Sequence, residues 1–120
     1  MNTNKKEITS MAKEVAVATM VESIVGCKWS MRVLQLIKNK TIRPGEMQRS
    51  TPGLSTKVLN ERLNKLMRFG IVQKKIYPVT PPHVEYSFTP FGRRFLKIIS
   101  SIEKLQKEIS LEASPHNPDE

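Results

Sequence analysis

Ser55, Thr56, Lys57 and Asn60 form a run of side chains able to grip a polyanion, and they open a segment in which Leu59, Leu63 and Leu66 recur at i, i+4 and i+7. That spacing predicts a helix over about residues 55–69, with the leucines on one side and Thr56, Lys57, Asn60, Asn64 and Lys65 on the other. Ser55 is of the type that caps a helix N-terminus, and Gly70 is of the type that ends one. Hydroxyl, ammonium and amide groups at such an end can donate to base edges and phosphate oxygens of a duplex. The plain alternative is a solvated helix face, and the charge around it argues for the duplex. From Lys28 to Lys75 there are twelve Lys or Arg against two acids, Glu46 and Glu61, whereas the remaining residues hold eight bases and nine acids. The net charge of +9 therefore resides in the middle of the chain. A cationic centre in a neutral frame directs a field at nucleic acid. Arg43, Arg49, Lys65, Lys74 and Lys75 are candidates to hold phosphates, with Arg68 farther along. Arg62, one turn from Leu59 and from Leu66, suits an internal ion pair as well as a phosphate.

Other reactive groups are few. Cys27 is the single cysteine, so it cannot close an intramolecular disulfide. It stands beside Lys28 at a helix junction, where a cation or a helix N-terminus lowers a thiol pKa, which makes it a candidate redox or electrophile sensor. An inert buried thiol near Trp29 is the other reading. His83 lies where it can reach a minor groove or a flanking phosphate, or serve as a surface histidine of a rigid hairpin. His83 and His116 have no acidic or nucleophilic partner nearby in sequence, and no glycine-rich phosphate loop or Cys/His metal spacing occurs. Neither an enzyme, a metal nor a cofactor is expected.

The elements that must position these groups follow from periodicity. At 120 residues the chain can bury one modest core, so a single domain over 11–111 is expected, with a flexible N-terminus over 1–10 and a disordered tail over 112–120. The polar start Met1 to Lys6 and the lack of eighteen successive apolar residues imply a cytoplasmic protein that makes no use of membranes. Met11, Val15, Ala18, Val21 and Val25 predict a first helix ended by Gly26; Trp29, Val33, Leu36 and Ile37 predict a second over 28–38. Thr41 and Ile42 suit a very short strand, and Pro44 opens a brief third helix carrying Met47 and Arg49. After the break at Thr51-Pro52-Gly53 and the fourth helix, residues 71–77 and 83–88 read as antiparallel strands. Pro78, Pro81 and Pro82 hold the loop between them outside the sheet. From Pro90 onward Phe91, Phe95, Ile98, Ile102, Leu105 and Ile109 step by 4, 3, 4, 3, 4, with Leu96 and Ile99 beside them. The stripe is either the core side of a terminal helix or, with Val15, a homodimer interface; its breadth favours the dimer.

Helix, tight turn, helix and two-stranded ribbon is the order of a winged helix-turn-helix, α+β and mainly α, with extra N- and C-terminal helices for dimerisation. The chain from about Ala16 to Leu105 also resembles the HxlR-type regulators, a branch allied to the MarR-type winged-helix regulators. Gly26-Cys27-Lys28-Trp29 is similar to the family's G-G-K-W. Pro52 to Ser55 with Lys57, Leu59, Arg62, Leu63, Leu66, Gly70, Ile71 and Val72 resembles its recognition-helix segment. Tyr77 to Tyr86 resembles the wing signature Y-P-x-x-P-P-x-V-E-Y. The resemblance implies a bacterial or archaeal homodimer that binds inverted-repeat operators on double-stranded DNA, sometimes switched by aldehydes, quinones or oxidants through a cysteine. It does not specify which of these, if any, is the small-molecule effector of this chain. This chain has Ala16-Val17 where many members have Cys-Pro, Cys27 where the family has glycine, and Pro44 where an aromatic is usual. The expectation is a homodimeric DNA-binding transcriptional regulator, with Ser55, Thr56, Lys57 and Asn60 facing bases and a wing over 77–84. A protein-interaction adaptor on the same scaffold, and sequence-independent DNA packing, are the alternatives.

Overall fold

Seven elements follow one another: α1 (Val17–Val25), α2 (Lys28–Lys38), α3 (Pro44–Arg49), α4 (Thr56–Arg68), β1 (Val72–Tyr77), β2 (His83–Phe88) and α5 (Pro90–Ala113). They are taken from a computed structural model that describes residues 15–113. The architecture is the expected winged helix-turn-helix, mainly helical with one two-stranded antiparallel sheet. The N-terminal segment 1–10, positions 11–14 of the expected first helix and tail residues 114–120 lie outside the described residues. Glu112 and Ala113, expected in the tail, still belong to α5.

The core forms where the helices present apolar stripes to one another. Leu59, Leu63 and Leu66 of α4 are buried together with Val33, Leu34 and Ile37 of α2, Met47 of α3, and Ile71. Each such side chain contributes roughly 1.5–3 kcal/mol on leaving water. In α1 the buried residues are Met20 and Ile24, while Ala18 and Val25 are exposed and Val21 is half-buried, as is Val15, which precedes the helix. The face expected from Met11, Val15, Ala18, Val21 and Val25 is therefore rotated, because Met20 and Ile24 are the pair one turn apart that meets the core. Thr41 and Ile42 form no strand; a single bond from the Tyr86 amide to the Ile42 carbonyl, 2.9 Å, joins them to β2.

The local boundaries have simple causes. Ser55 Oγ accepts the Val58 amide at 3.1 Å and so caps α4. Gly53, in the turn before it, has φ +91°, a conformation that disfavours any side chain. Pro44 begins α3, where its missing N–H costs nothing.

β1 and β2 pair in register Val72↔Phe88, Lys74↔Tyr86, Lys75↔Glu85 and Tyr77↔His83. Val72, Lys74, Ile76, Val84, Tyr86 and Phe88 consequently share one face, with Val72 and Tyr86 buried at its root, and Gln73, Lys75, Tyr77, His83, Glu85 and Ser87 share the other. The Thr80–Pro81 peptide in the loop is cis. α5 starts from Thr89, whose Oγ accepts the Gly92 amide at 2.8 Å. It runs for 24 residues, about 36 Å.

Along α5 the expected interface stripe divides. Phe95 and Ile99 are each 1% exposed and belong to the chain's own core, so Phe95 is not free to meet a partner. Phe91 and Ile102 are half-buried, and Ile98 is exposed. Beyond residue 103 every described position is open to solvent, including Leu105 at 59% and Ile109 at 52%.

Candidate nucleic-acid interface

The outer face of α4 carries the candidate reading groups. Ser55, Thr56, Lys57, Asn60 and Asn64 are all exposed, and among the described residues the Lys57 and Asn60 side chains make no hydrogen bond or ion pair. Ser55 spends its acceptor on the helix cap and keeps its O–H to donate. Thr56 is engaged on one side, since Gln48 Nε2 of α3 donates to its Oγ1 at 3.0 Å and to the Leu54 carbonyl at 3.4 Å. Gln48 thus ties α3 to the start of α4 across the turn. Sequence reasoning missed it, although a glutamine on the polar side of a short helix next to a tight turn was a readable signal.

Three basic residues predicted separately meet in one place. Arg43, Arg49 and His83 line a cleft of about 390 Å³ between α3 and the start of β2, together with Pro44, Gly45, Glu46 and Val84. Two guanidinium groups and an imidazole around an open cleft, with one carboxylate beside them, suit a phosphate. His83 is held there by its neighbours: its ring lies 4.4 Å from the Tyr77 ring, and its Nε2 lies 3.5 Å from Glu85 Oε2. The Tyr77 hydroxyl donates to the other oxygen of Glu85 at 3.0 Å, and the Lys75 ammonium sits 4.9 Å from the Tyr77 ring. This latch across the hairpin was not anticipated, although the pairing of 77 with 83 and 75 with 85 makes it a cross-strand cluster.

Lys74 and Lys75 stand on opposite faces of β1. One expectation needs correction. Lys65 does not sit on the open face with Lys57. It is half-buried and donates through Nζ to the Ser23 carbonyl of α1 at 3.3 Å. Burial, with the Arg62 and Arg68 charges, lowers its pKa, and Cys27 acts in the opposite sense. The cause is tertiary: the C-terminal end of α1 presents an unpaired carbonyl to this flank of α4. Arg62 is divided, with Nη1 3.8 Å from Glu61 Oε1 and a buried Nε that has no partner among the described residues. Arg68 is exposed, 5.8 Å from the Phe69 ring.

Cys27 occupies the N-cap position of α2, partly accessible to solvent. Burial pushes its pKa up, but the Ser30 hydroxyl and amide and the charges of Lys65 and Arg62 outweigh this and bring it to about 7. Lys28, the neighbour that suggested a lowered pKa, instead places its ammonium 5.2 Å from the Trp29 ring. The two charges that act on the thiol come from 35 and 38 residues away, which no local pattern reveals, whereas Ser30, the larger influence, stands three residues on.

Among the described residues no cluster of His, Cys, Asp or Glu could hold a metal, and no helix is long and apolar enough to cross a membrane. The sequence pattern of the family described as HxlR-like helix-turn-helix matches residues 24–113. An uncharacterized HTH-type transcriptional regulator of Synechocystis sp. is 38% identical over 85 residues, 71% of this chain and 63% of that protein. The chain thus spans less than two thirds of that relative's length. A solved structure described as a MarR-family transcriptional regulator from Porphyromonas gingivalis W83 is 38% identical, with a TM-score of 0.59 over 79% of this chain and 93% of that one. The redox regulator HypR in its oxidized form is 28% identical, with a TM-score of 0.62 over 76% of this chain and 94% of that one. With the matched segment running from the end of α1 through α5, the chain belongs to the HxlR-like helix-turn-helix family, allied to the MarR regulators.

Proposed function

We propose that the protein is a transcriptional regulator that binds an inverted-repeat operator as a homodimer, with α4 in the major groove and the wing over 77–84 alongside. The observation that carries this reading is the exposed, unengaged N-terminal face of α4, Lys57 and Asn60 above all, next to the cationic cleft of Arg43, Arg49 and His83. Lys57 and Asn60 read base edges, Ser55 and Thr56 bases or adjoining phosphates, and the cleft fixes the backbone. Lys74 or Lys75, one of the two, adds a phosphate contact. Family relatives described as transcriptional regulators support the same role.

The homodimer draws support from the far half of α5, where Leu105 and Ile109 are exposed on a helix with no covering element among the described residues. Phe91, Ile98, Ile102, Leu105 and Ile109, with Val15, remain the interface residues, and Phe95 leaves the set. Two α4 helices then face successive major grooves roughly 34 Å apart. Selection of bound sites from random duplexes is the direct test. A pseudo-palindromic consensus is expected. Equal binding of all duplexes, or a stable acidic protein complex without DNA preference, overturns the reading.

A further inference from the structure

We propose that Gln48 of α3 is a positioning residue that sets base preference: it turns the Thr56 hydroxyl into a donor toward DNA, so that the first turn of α4 selects guanine and Asn60, one turn on, selects adenine. The inference rests on the DNA-binding reading above and names the base class that reading leaves open.

Gln48 is half-buried and acts through its neighbour. Two acceptors fix the orientation of its amide: Nε2 donates to the Leu54 carbonyl at 3.4 Å and to Thr56 Oγ1 at 3.0 Å. A backbone carbonyl only accepts, so the NH2 end of the amide stands there and not its oxygen. That nitrogen has no lone pair to offer, so the Thr56 hydrogen cannot point back at it and is left for a group outside. Ser55 reaches the same state by another route, since its Oγ accepts the Val58 amide at 3.1 Å and keeps its hydrogen free. Lys57 is exposed and carries three N–H donors and no acceptor. The backbone amides of Thr56 and Lys57 have no partner among the described residues, as the start of a helix requires. Each hydroxyl retains one lone pair, but hydrogens dominate this turn.

The bases answer such a turn unequally. In the major groove guanine shows N7 and O6, two acceptors and no donor, whereas cytosine shows only its N4 amino group. A guanine edge satisfies Thr56 and Lys57 together. A cytosine edge in its place sets N–H against N–H and leaves the lysine stripped of water without an acceptor, which is the costly outcome. Adenine and thymine each offer one acceptor and so satisfy one of the two. Asn60 differs from its neighbours because its amide carries a carbonyl beside its N–H donors, the pair that meets N6 and N7 of adenine. It is exposed, and at three positions from Lys57 it lies on the same side of the helix one turn later. The half-site therefore carries guanine under the first turn of α4 and adenine beside it.

Sites selected from random duplexes by full-length wild type, Gln48→Glu and Gln48→Met decide this. Wild type should return guanine and adenine in each half-site. In Gln48→Glu the carboxylate, which only accepts, takes the Thr56 hydrogen, and Thr56 then shows only lone pairs to the groove. Preference for guanine over cytosine at one position should accordingly fall at least about threefold, the worth of one hydrogen bond. Gln48→Met neither gives nor takes, so it should relax that position without creating a new preference. The adenine should hold in both variants and give way in Asn60→Ala. A Gln48 that merely braces the fold would weaken all duplexes alike and leave the base profile of both variants that of wild type, which overturns the proposal. One measurement needs no variant: 7-deazaguanine in place of the selected guanine removes the N7 acceptor and keeps the base pair, and should weaken wild-type binding at least about threefold. Equal affinity for the two duplexes sinks the guanine contact. A consensus without guanine refutes the base assignment while the DNA reading stands; no consensus at all brings down both.

Discussion

Lys57 and Lys65 stand eight residues apart on one helix of one basic segment, and their fates differ. Lys57 extends into solvent from the first turn of α4. Lys65, two turns later, is half-buried and bonded to the end of α1. Positive charge alone therefore does not mark a DNA contact. What separates the two is which other element lies beside each turn: nothing described covers the start of α4, whereas α1 and Cys27 face its later turns.

The sharpest way to break this contrast is to attack the inner side. Leu63→Ala, at a fully buried position between the two lysines, should cost about 2–5 kcal/mol of stability in urea unfolding. DNA binding falls only in step with the folded fraction. On the outer side the pattern reverses. Lys57→Ala and Asn60→Ala should each lose about 1–3 kcal/mol of operator discrimination in anisotropy titrations while the melting temperature holds within error. Wild-type affinity in both variants would show that the exposed face is not the reading face.

Lys65→Met tests the lysine that turned inward. Loss of its bond to Ser23 should lower stability by about 1 kcal/mol, and the slope of log affinity against log salt should stay that of the wild type. Lys74→Ala and Lys75→Ala form the matching pair on the wing. One of them should flatten that slope by about one unit and the other should not, because the two face opposite ways. The smallest expected effect is a pH dependence. Cys27 has its pKa lowered from 9.0 to about 7 by folding, so its thiolate contributes stability that is full above pH 9 and is lost as pH falls through 7. Under reducing conditions the melting-temperature difference between wild type and Cys27→Ser should therefore grow from pH 6 to pH 9. A difference that stays flat would contradict the lowered value.

These cases also show where the sequence was sufficient. The α4 core residues, its Ser55 cap and both wing strands were legible because each depends on local spacing or on a residue's own backbone preference. The opposed faces of Lys74 and Lys75 were equally legible from strand alternation. The destination of Lys65 was not, since it depends on a carbonyl 42 residues away. The α5 stripe failed for a different reason. A 4–3 step describes any face that meets a helix or a core, so it could not tell that Phe95 and Ile99 point into the body while Leu105 and Ile109 lie beyond it. In the candidate site, the residues were readable and their grouping was not: only folding brings Arg43, Arg49 and His83 to one cleft.

Gly92 carries a mechanical corollary. A Cβ there would sit 1.9 Å from the Ile71 carbonyl oxygen, so the first turn of α5 rests backbone to backbone on the residue that leads into β1. The same carbonyl receives the Thr89 amide at 3.0 Å. No side chain stands between the long helix and the hairpin root at this contact. Any side chain at position 92 would have to push the start of α5 away from Ile71, so the angle between the long helix and the hairpin is set by the bareness of that one position.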